Sequence, residues 1–237
     1  MNNEFLQRLF FTLGIELTAV QLNQFAQYQE ELLCWNKKVN LTALTTEKEI
    51  IIKHFYDSVL GVKAGEWTGQ EKVLDLGTGA GFPGIPLKII CPSLAMVLVD
   101  SLQKRVDFLK HLLGVLALED VEVRHGRAEE LGREQRFREK FDLVVSRAVA
   151  RLPVLAEYCL PFVKRGGVFL AYKGGEGAKE SREAERAINK LGGKLTKIET
   201  FVLPEGMGSR TIITLKKVKP TPEAYPRRPG MPSKKPL

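Results

Sequence analysis

Residues 1–60 carry apolar side chains at helical spacing. From Thr18 the positions Val20, Leu22, Phe25, Tyr28, Leu32 and Leu33 recur close to every third or fourth residue. Thr18 and Gln21 have the spacing of a capping box, which places a helix start there. Trp35, Val39 and Leu41 lead into a threonine-rich turn at 42–46. A second helix is predicted from Glu47 to Leu60, with Ile50, Ile51, Phe55 and Val59 on one side.

From Glu71 the pattern changes. Short β-rich runs at 72–76, 95–100, 121–125, 141–146 and 167–173 alternate with helical runs near 85–90, 102–116, 152–163 and 180–191. That alternation predicts βαβ units and a mostly parallel sheet covered on both faces. The last two strand candidates, 195–203 and 210–217, are separated only by Pro204–Ser209. With no helix between them they should pair antiparallel at the sheet edge. The expected organisation is an α/β chain: a helical extension over 1–64, a sheet domain over 65–217, and a tail over 218–237.

The tail changes the picture of charge. The whole chain has 36 basic and 28 acidic residues, a net charge of +8. From Lys216 onward, seven basic residues face a single acid, Glu223, and six of the twelve prolines fall in the same stretch. So many prolines exclude a long helix or central strand. An extended basic arm suits a polyanionic partner. No apolar run approaches the roughly 20 residues of a membrane helix, and the start MNNEFLQRLFFTLG is a poor secretion signal. Three scattered cysteines (Cys34, Cys91, Cys159) form neither a disulfide framework nor a zinc spacing, so no metal site and a reducing cytoplasm are expected.

The most informative stretch is Val73-Leu-Asp-Leu-Gly77-Thr-Gly79-Ala-Gly81-Phe82-Pro83-Gly84. It follows the first predicted strand and opens a helix. Glycines there allow a tight turn and let a ligand approach backbone. Asp100 ends the next strand and offers a carboxylate to the two hydroxyls of a ribose, in charge-assisted bonds of about 1.5–3 kcal/mol each. Two ligands suit the pattern. Gly79-x-Gly81-x-x-Gly84 matches the dinucleotide fingerprint, which would make the chain a nicotinamide-dependent oxidoreductase. Asp75 followed by Gly77-x-Gly79-x-Gly81 resembles the S-adenosylmethionine loop of Rossmann-like methyltransferases. Five parallel strands followed by an antiparallel hairpin also look like the seven-stranded sheet of that class, and the chain has no room for a second dinucleotide half.

For a methyltransferase, the acceptor is constrained by chemistry. Displacement at a sulfonium needs a lone pair aligned with the methyl–sulfur axis. Enzymes acting on exocyclic base amines carry a (D/N)-P-P-(Y/F) motif, whereas here the corresponding position reads Ser146-Arg-Ala-Val149. Pyrimidine carbon-5 methylation needs a cysteine nucleophile, and Cys159 sits in an apolar helical run. A ring nitrogen such as guanine N7 has an in-plane lone pair and no proton to lose, which suits a chain without an obvious base-and-nucleophile set.

Several motifs together carry a resemblance: Trp35-Asn-Lys-Lys-Val-Asn-Leu-Thr42, Lys53-His-Phe-Tyr-Asp-Ser58, the loop Leu74–Pro86, Asp100-Ser-Leu-Gln-Lys-Arg105, Arg127-Ala-Glu-Glu130, Ser146-Arg-Ala148, Tyr172-Lys-Gly174 and Tyr225-Pro-Arg-Arg-Pro-Gly230. The chain resembles, nearly end to end, the bacterial 16S rRNA guanine-N7 methyltransferases, the glucose-inhibited division protein B family. The resemblance implies a class I S-adenosylmethionine-dependent fold and transfer of a methyl group to one guanine of the decoding-region loop. Its partner would be 16S rRNA or the small ribosomal subunit, met by a cytoplasmic monomer. It implies cofactor contacts at Asp75, Gly77, Gly79, Phe82, Asp100, Ala128, Glu129 and Arg147, with Arg147 also the catalytic candidate between cofactor and base. RNA contacts are expected from Lys173, Arg210, Arg227 and Arg228. A non-catalytic ribosome-binding factor with a vestigial pocket is the remaining alternative. Asn36, Lys37, Lys38 and Asn40 are candidates for an RNA groove, and His54 is expected to pack between the helical extension and the sheet.

Overall fold

Runs such as Val73-Leu74, Val97-Leu98-Val99 and Leu143-Val144-Val145 are apolar on successive residues, as strands buried on both faces must be. In the computed structural model, which describes residues 1–65, 67–147 and 149–237, these runs are β1 (Lys72–Leu76), β2 (Ala95–Asp100), β3 (Val121–His125), β4 (Phe141–Arg147), β5 (Val163–Lys173), β6 (Gly193–Val202) and β7 (Ser209–Lys217). They form one seven-stranded sheet in the order β3-β2-β1-β4-β5-β7-β6. β1 to β5 pair parallel, and β7 lies antiparallel between β5 and β6. The chain reverses its direction of travel across the sheet between β1 and β4. Open α/β sheets bind ligands at the carboxyl ends of the strands flanking such a point.

Two of the predicted helices end differently. The Leu152–Cys159 helix stops short of Val163, which instead pairs with Phe141 at the start of β5. The run predicted over 180–191 divides into Gly177–Glu183 and Glu185–Lys190.

At the amino end, α1 (Asn3–Thr12) and α2 (Ala19–Val39) precede the sheet, and both halves of the Thr18–Gln21 capping box are made. The single α-helix predicted over 47–60 is instead Glu47–Glu49, a π-helical segment Ile50–Tyr56, and Asp57–Val59. Ile50, Ile51 and Ile52 are all fully buried, and three successive β-branched residues crowd an α-helical turn. Wider π turns are found at functional positions. Here the turn leaves the Lys53 carbonyl to accept a bond from Arg147 at 3.0 Å.

Alternate residues of the central strands feed two cores. Val73, Met96 and Leu98 pack with Phe10, Phe25, Tyr28 and Phe55, so the amino-terminal helices cover one face of the sheet. Leu74, Val97 and Val99 pack on the other face with Leu152, Leu155 and Phe162. The basic, proline-rich segment does not extend away as an arm. Its Thr221, Pro226 and Pro232 are buried, and the Arg138 guanidinium donates to the carbonyls of Thr221, Pro222 and Tyr225. Backbone carbonyls are acceptors whatever the side chain, so the prolines do not prevent this docking.

Candidate functional site

A cleft of about 520 Å³ opens at the carboxyl ends of β1, β2, β3 and β4, within the usual range for a small-molecule site. Its floor is the glycine loop. Gly77 and Gly79 have φ of +71° and +62°, a region costly for other L-residues. A Cβ at Gly79 would meet nothing within 4 Å, because it would stand in the open cleft. At Gly77 it would come within 2.5 Å of the Val149 side chain.

The loop is held from below. Asp75, fully buried, accepts from the Thr78 hydroxyl at 2.7 Å and the Gly84 amide at 2.8 Å, both on Oδ2. Its Oδ1 has no partner among the described residues. Burial pushes this carboxyl group up to about 7, against the pull of its two donors. Asp75 does not line the cleft; it shapes the loop that does. From the other side, the Tyr28 hydroxyl of α2 donates to the Ala80 carbonyl at 2.6 Å.

Asp100 lies across from the loop. Its Oδ2 accepts from the Gly79 amide at 2.9 Å and its Oδ1 from the Leu102 amide at 2.9 Å, with Arg105 3.4 Å away. Two backbone donors and a nearby guanidinium keep an acceptor oriented at the end of β2. Beyond β3, Gly126, Arg127, Ala128 and Glu129 form the next wall. Ala128 opens a short helix, so its N–H has no intrahelical partner. Glu129 is buried, and Tyr158 stands beside it in the lining.

The mouth is built from the end of β4 and the π-helical segment. The Arg147 guanidinium donates to Asp57 Oδ2 at 2.8 Å, to the Lys53 carbonyl and to His54 Nδ1 at 3.1 Å, and lies 4.9 Å from the centre of the Phe82 ring. His54 stacks on Phe82 with centroids 4.3 Å apart, and its Nε2 is 2.7 Å from the Thr42 hydroxyl. Because Nδ1 accepts from an arginine, Nε2 carries the proton. Burial, reinforced by the Arg147 charge, lowers the His54 pKa to about 3, so the ring is neutral. Asp57, with no exposed side-chain surface, also accepts from Arg210 on both oxygens.

The cleft therefore brings together Gly77, Gly79, Phe82, Asp100, Ala128, Glu129 and Arg147. Ala148 of the predicted Ser146-Arg-Ala motif lies outside the described residues. Three cations expected to face RNA are engaged within the chain. Lys173 donates to the Ala150 carbonyl and pairs with Glu180; Arg210 pairs with Asp57; Arg227 grips the buried Glu157. Each has an acid or carbonyl brought to it by tertiary packing, which spacing along the chain does not display. Arg228 is exposed. Asn36 is likewise occupied, bonding the backbone of Leu41 and Thr42 and so presenting Leu41 to the cleft. His54, expected only to pack, lines the cleft. Asp57, Arg105, Arg127 and Tyr158 received no assignment from the sequence; for the first three, the signal available was their place within the quoted motifs.

Comparison with known proteins supplies independent findings. The family model described as "GidB: rRNA small subunit methyltransferase G" matches residues 21–212. A protein named ribosomal RNA small subunit methyltransferase G from Lachnoclostridium phytofermentans is 51% identical over 236 residues, covering 100% of this chain and 97% of its own length. One of the same name from Brevibacillus brevis is 51% identical over 224 residues, covering 94% of each chain. Among solved structures, an O-methyltransferase from Bacillus cereus in complex with SAH matches with a TM-score of 0.56 at 20% identity, over 81% of this chain and 91% of that one. That likeness is one of fold: the seven-stranded methyltransferase sheet.

Proposed function

The chain belongs to the GidB family of rRNA small subunit methyltransferases, and from that premise we infer that it methylates N7 of a guanine in 16S rRNA. Its methyl donor is S-adenosylmethionine, which supplies an electrophilic methyl group on a sulfonium. The oxidoreductase reading has no further support: the family is one of methyltransferases, and after β5 the sheet ends in the antiparallel β6–β7 pair where a second dinucleotide-binding half would continue parallel.

The observation that carries this reading is the Asp100 carboxylate, held directly by the Gly79 amide at 2.9 Å in the lining of a cleft into which that glycine would project any side chain. Such an arrangement fits a ribose at Asp100 and close backbone approach at Gly77 and Gly79. Ala128 and Glu129 offer an N–H and a carboxylate to the edge of adenine. Phe82 supplies an apolar wall. Asp75 supports the loop from beneath.

Arg147 is the group we assign to the base. Three of its five N–H groups are used within the chain, which fixes the guanidinium. The remaining donors suit the guanine O6, and a base held there keeps the N7 lone pair free for in-line attack. Neither a general base nor a covalent intermediate is needed, since N7 carries no proton. Cys159, the best-buried thiol, is pushed well up by burial and is no nucleophile. For the RNA backbone we propose Arg105 and Arg127 at the cleft with exposed Arg228 and with Arg151, whose pair with Glu183 lies at the solvent-exposed surface, in place of the internally held Lys173, Arg210 and Arg227. A monomer in the cytoplasm remains the expected state.

The test is mapping of N7-methylguanine in ribosomal RNA from cells with and without the protein, together with transfer of labelled methyl from S-adenosylmethionine to isolated small subunits. Loss of one N7-methylguanine in the deletion strain and its restoration in vitro is the expected result. An unchanged modification map would overturn the reading, and methyl incorporation that survives loss of Arg147 would remove that residue from it.

A further inference from the structure

The carboxyl-terminal segment docks beside the part of the cleft where adenine recognition is proposed, and it does so through bonds that are not generic. Arg227 donates from its amide and Nε to Glu157 Oε1, at 2.8 and 2.9 Å, and from a terminal nitrogen to Oε2 at 2.6 Å. Glu157 is fully buried, so this anchor is costly to break. Beyond it, Arg228–Met231 form a turn closed by the Met231 amide on the Arg228 carbonyl at 3.1 Å. Gly230 occupies its third position with φ of 81° and ψ of −15°, the glycine position of a type II turn. That conformation aims the Gly230 N–H at Glu129 Oε1, 3.0 Å away. Four residues further on from Pro229, the Ser233 hydroxyl meets the Tyr158 hydroxyl at 2.9 Å. Glu129 and Tyr158 both line the cleft.

Glu129 accepts no other hydrogen bond among the described residues, so Gly230 alone fixes its carboxylate, and Oε2 is the oxygen left to the cleft. We propose that the carboxyl-terminal turn is a working part of the cofactor site: the Gly230 amide sets the orientation of Glu129 and thereby makes the site select the exocyclic amino group of adenine. The proposal rests on the reading above that Glu129 faces adenine. Gly230 is thus a positioning residue acting through Glu129. An amino group at the purine 6 position donates to a carboxylate, whereas the carbonyl of hypoxanthine is repelled by it. The discrimination depends on that carboxylate being held rather than free to swing away.

The experiment compares binding of S-adenosylhomocysteine and S-inosylhomocysteine to full-length protein by calorimetry. The unaltered protein should prefer the adenosyl compound by about tenfold to a hundredfold, the worth of one charge-assisted hydrogen bond. Gly230→Pro, which has no N–H, and Gly230→Val, which cannot hold a positive φ, should each bring the ratio to within about threefold. A partly unfolded variant weakens both ligands by the same fraction and leaves the ratio alone, so a merely structural role for the turn does not imitate this result. Glu129→Gln is the control for the underlying reading. The Gly230 amide would keep its carbonyl oxygen and turn its amino group to the cleft, shifting preference toward the inosyl compound. If Glu129→Gln shifts the ratio while both Gly230 variants retain it, the role of the turn is overturned and the adenine reading stands. If Glu129→Gln leaves the ratio unchanged, both fall.

Discussion

Replacing Asp57 by asparagine should destabilise the protein by about 3–5 kcal/mol, the cost of leaving buried cations without their counter-charge. The carboxylate has no exposed surface and receives three bonds, one from Arg147 and two from Arg210, whose own side chains are 9% and 18% exposed. Asparagine retains one acceptor oxygen and must point an amino group at a guanidinium, so donor meets donor while both charges stay. For a urea slope of about 2–3 kcal/mol per molar, the unfolding midpoint should fall by roughly 1–2 M. Arg210→Met is the informative companion. It leaves Asp57 paired with Arg147, and its cost should be distinctly smaller. In Asp57→Asn, but not in Arg210→Met, Arg147 should also lose its place at the cleft mouth, lowering kcat/KM for methyl transfer by about tenfold or more. A stability change in Asp57→Asn below about 1 kcal/mol, or an Arg210→Met variant as damaged as Asp57→Asn, would refute the view that this one acid organises both arginines.

Three further outcomes are expected. Asp100→Ala should raise the cofactor dissociation constant at least about tenfold, since losing about 1.4 kcal/mol already does so; calorimetry giving an unchanged constant would remove Asp100 from the site. His54, with its folded pKa lowered to about 3, should make stability fall as pH drops below its unfolded value near 6.5, by up to about 1.4 kcal/mol per pH unit. Asp75, raised to about 7, acts in the opposite sense, adding stability as pH falls from 7 toward 4. The difference between the unaltered protein and His54→Gln isolates the histidine contribution, and a difference that does not vary with pH would contradict its neutral state. Binding to the rRNA substrate should follow a log–log salt slope of about −3 to −4, as for some four phosphate contacts; a slope near −6 would mean that the internally paired cations also reach the RNA.

The sequence by itself determined what depends on near neighbours and on period. The apolar runs specified β1 to β4 almost to the residue, the Thr18–Gln21 spacing located the start of α2, and the glycine run with Asp100 marked the cleft. Parallel βαβ chirality then leaves few ways to assemble such a pattern, so the sheet and its ligand-binding edge were legible. Tertiary structure decided which charges face outward. Arg147 and Arg210 meet Asp57 across 90 and 153 residues, and Arg227 meets Glu157 across 70. At such separations neither charge nor spacing reveals a pairing, and a basic proline-rich tail has the same composition whether it waves in solvent or is clamped by Arg138. The π-helical turn at Ile50–Tyr56 was hidden for a related reason: the α-like apolar period survives there, the crowding of three isoleucines only weakens the α-helical turn, and packing against α1, α2 and the glycine loop accompanies the wider turn that brings His54 and Asp57 to Arg147.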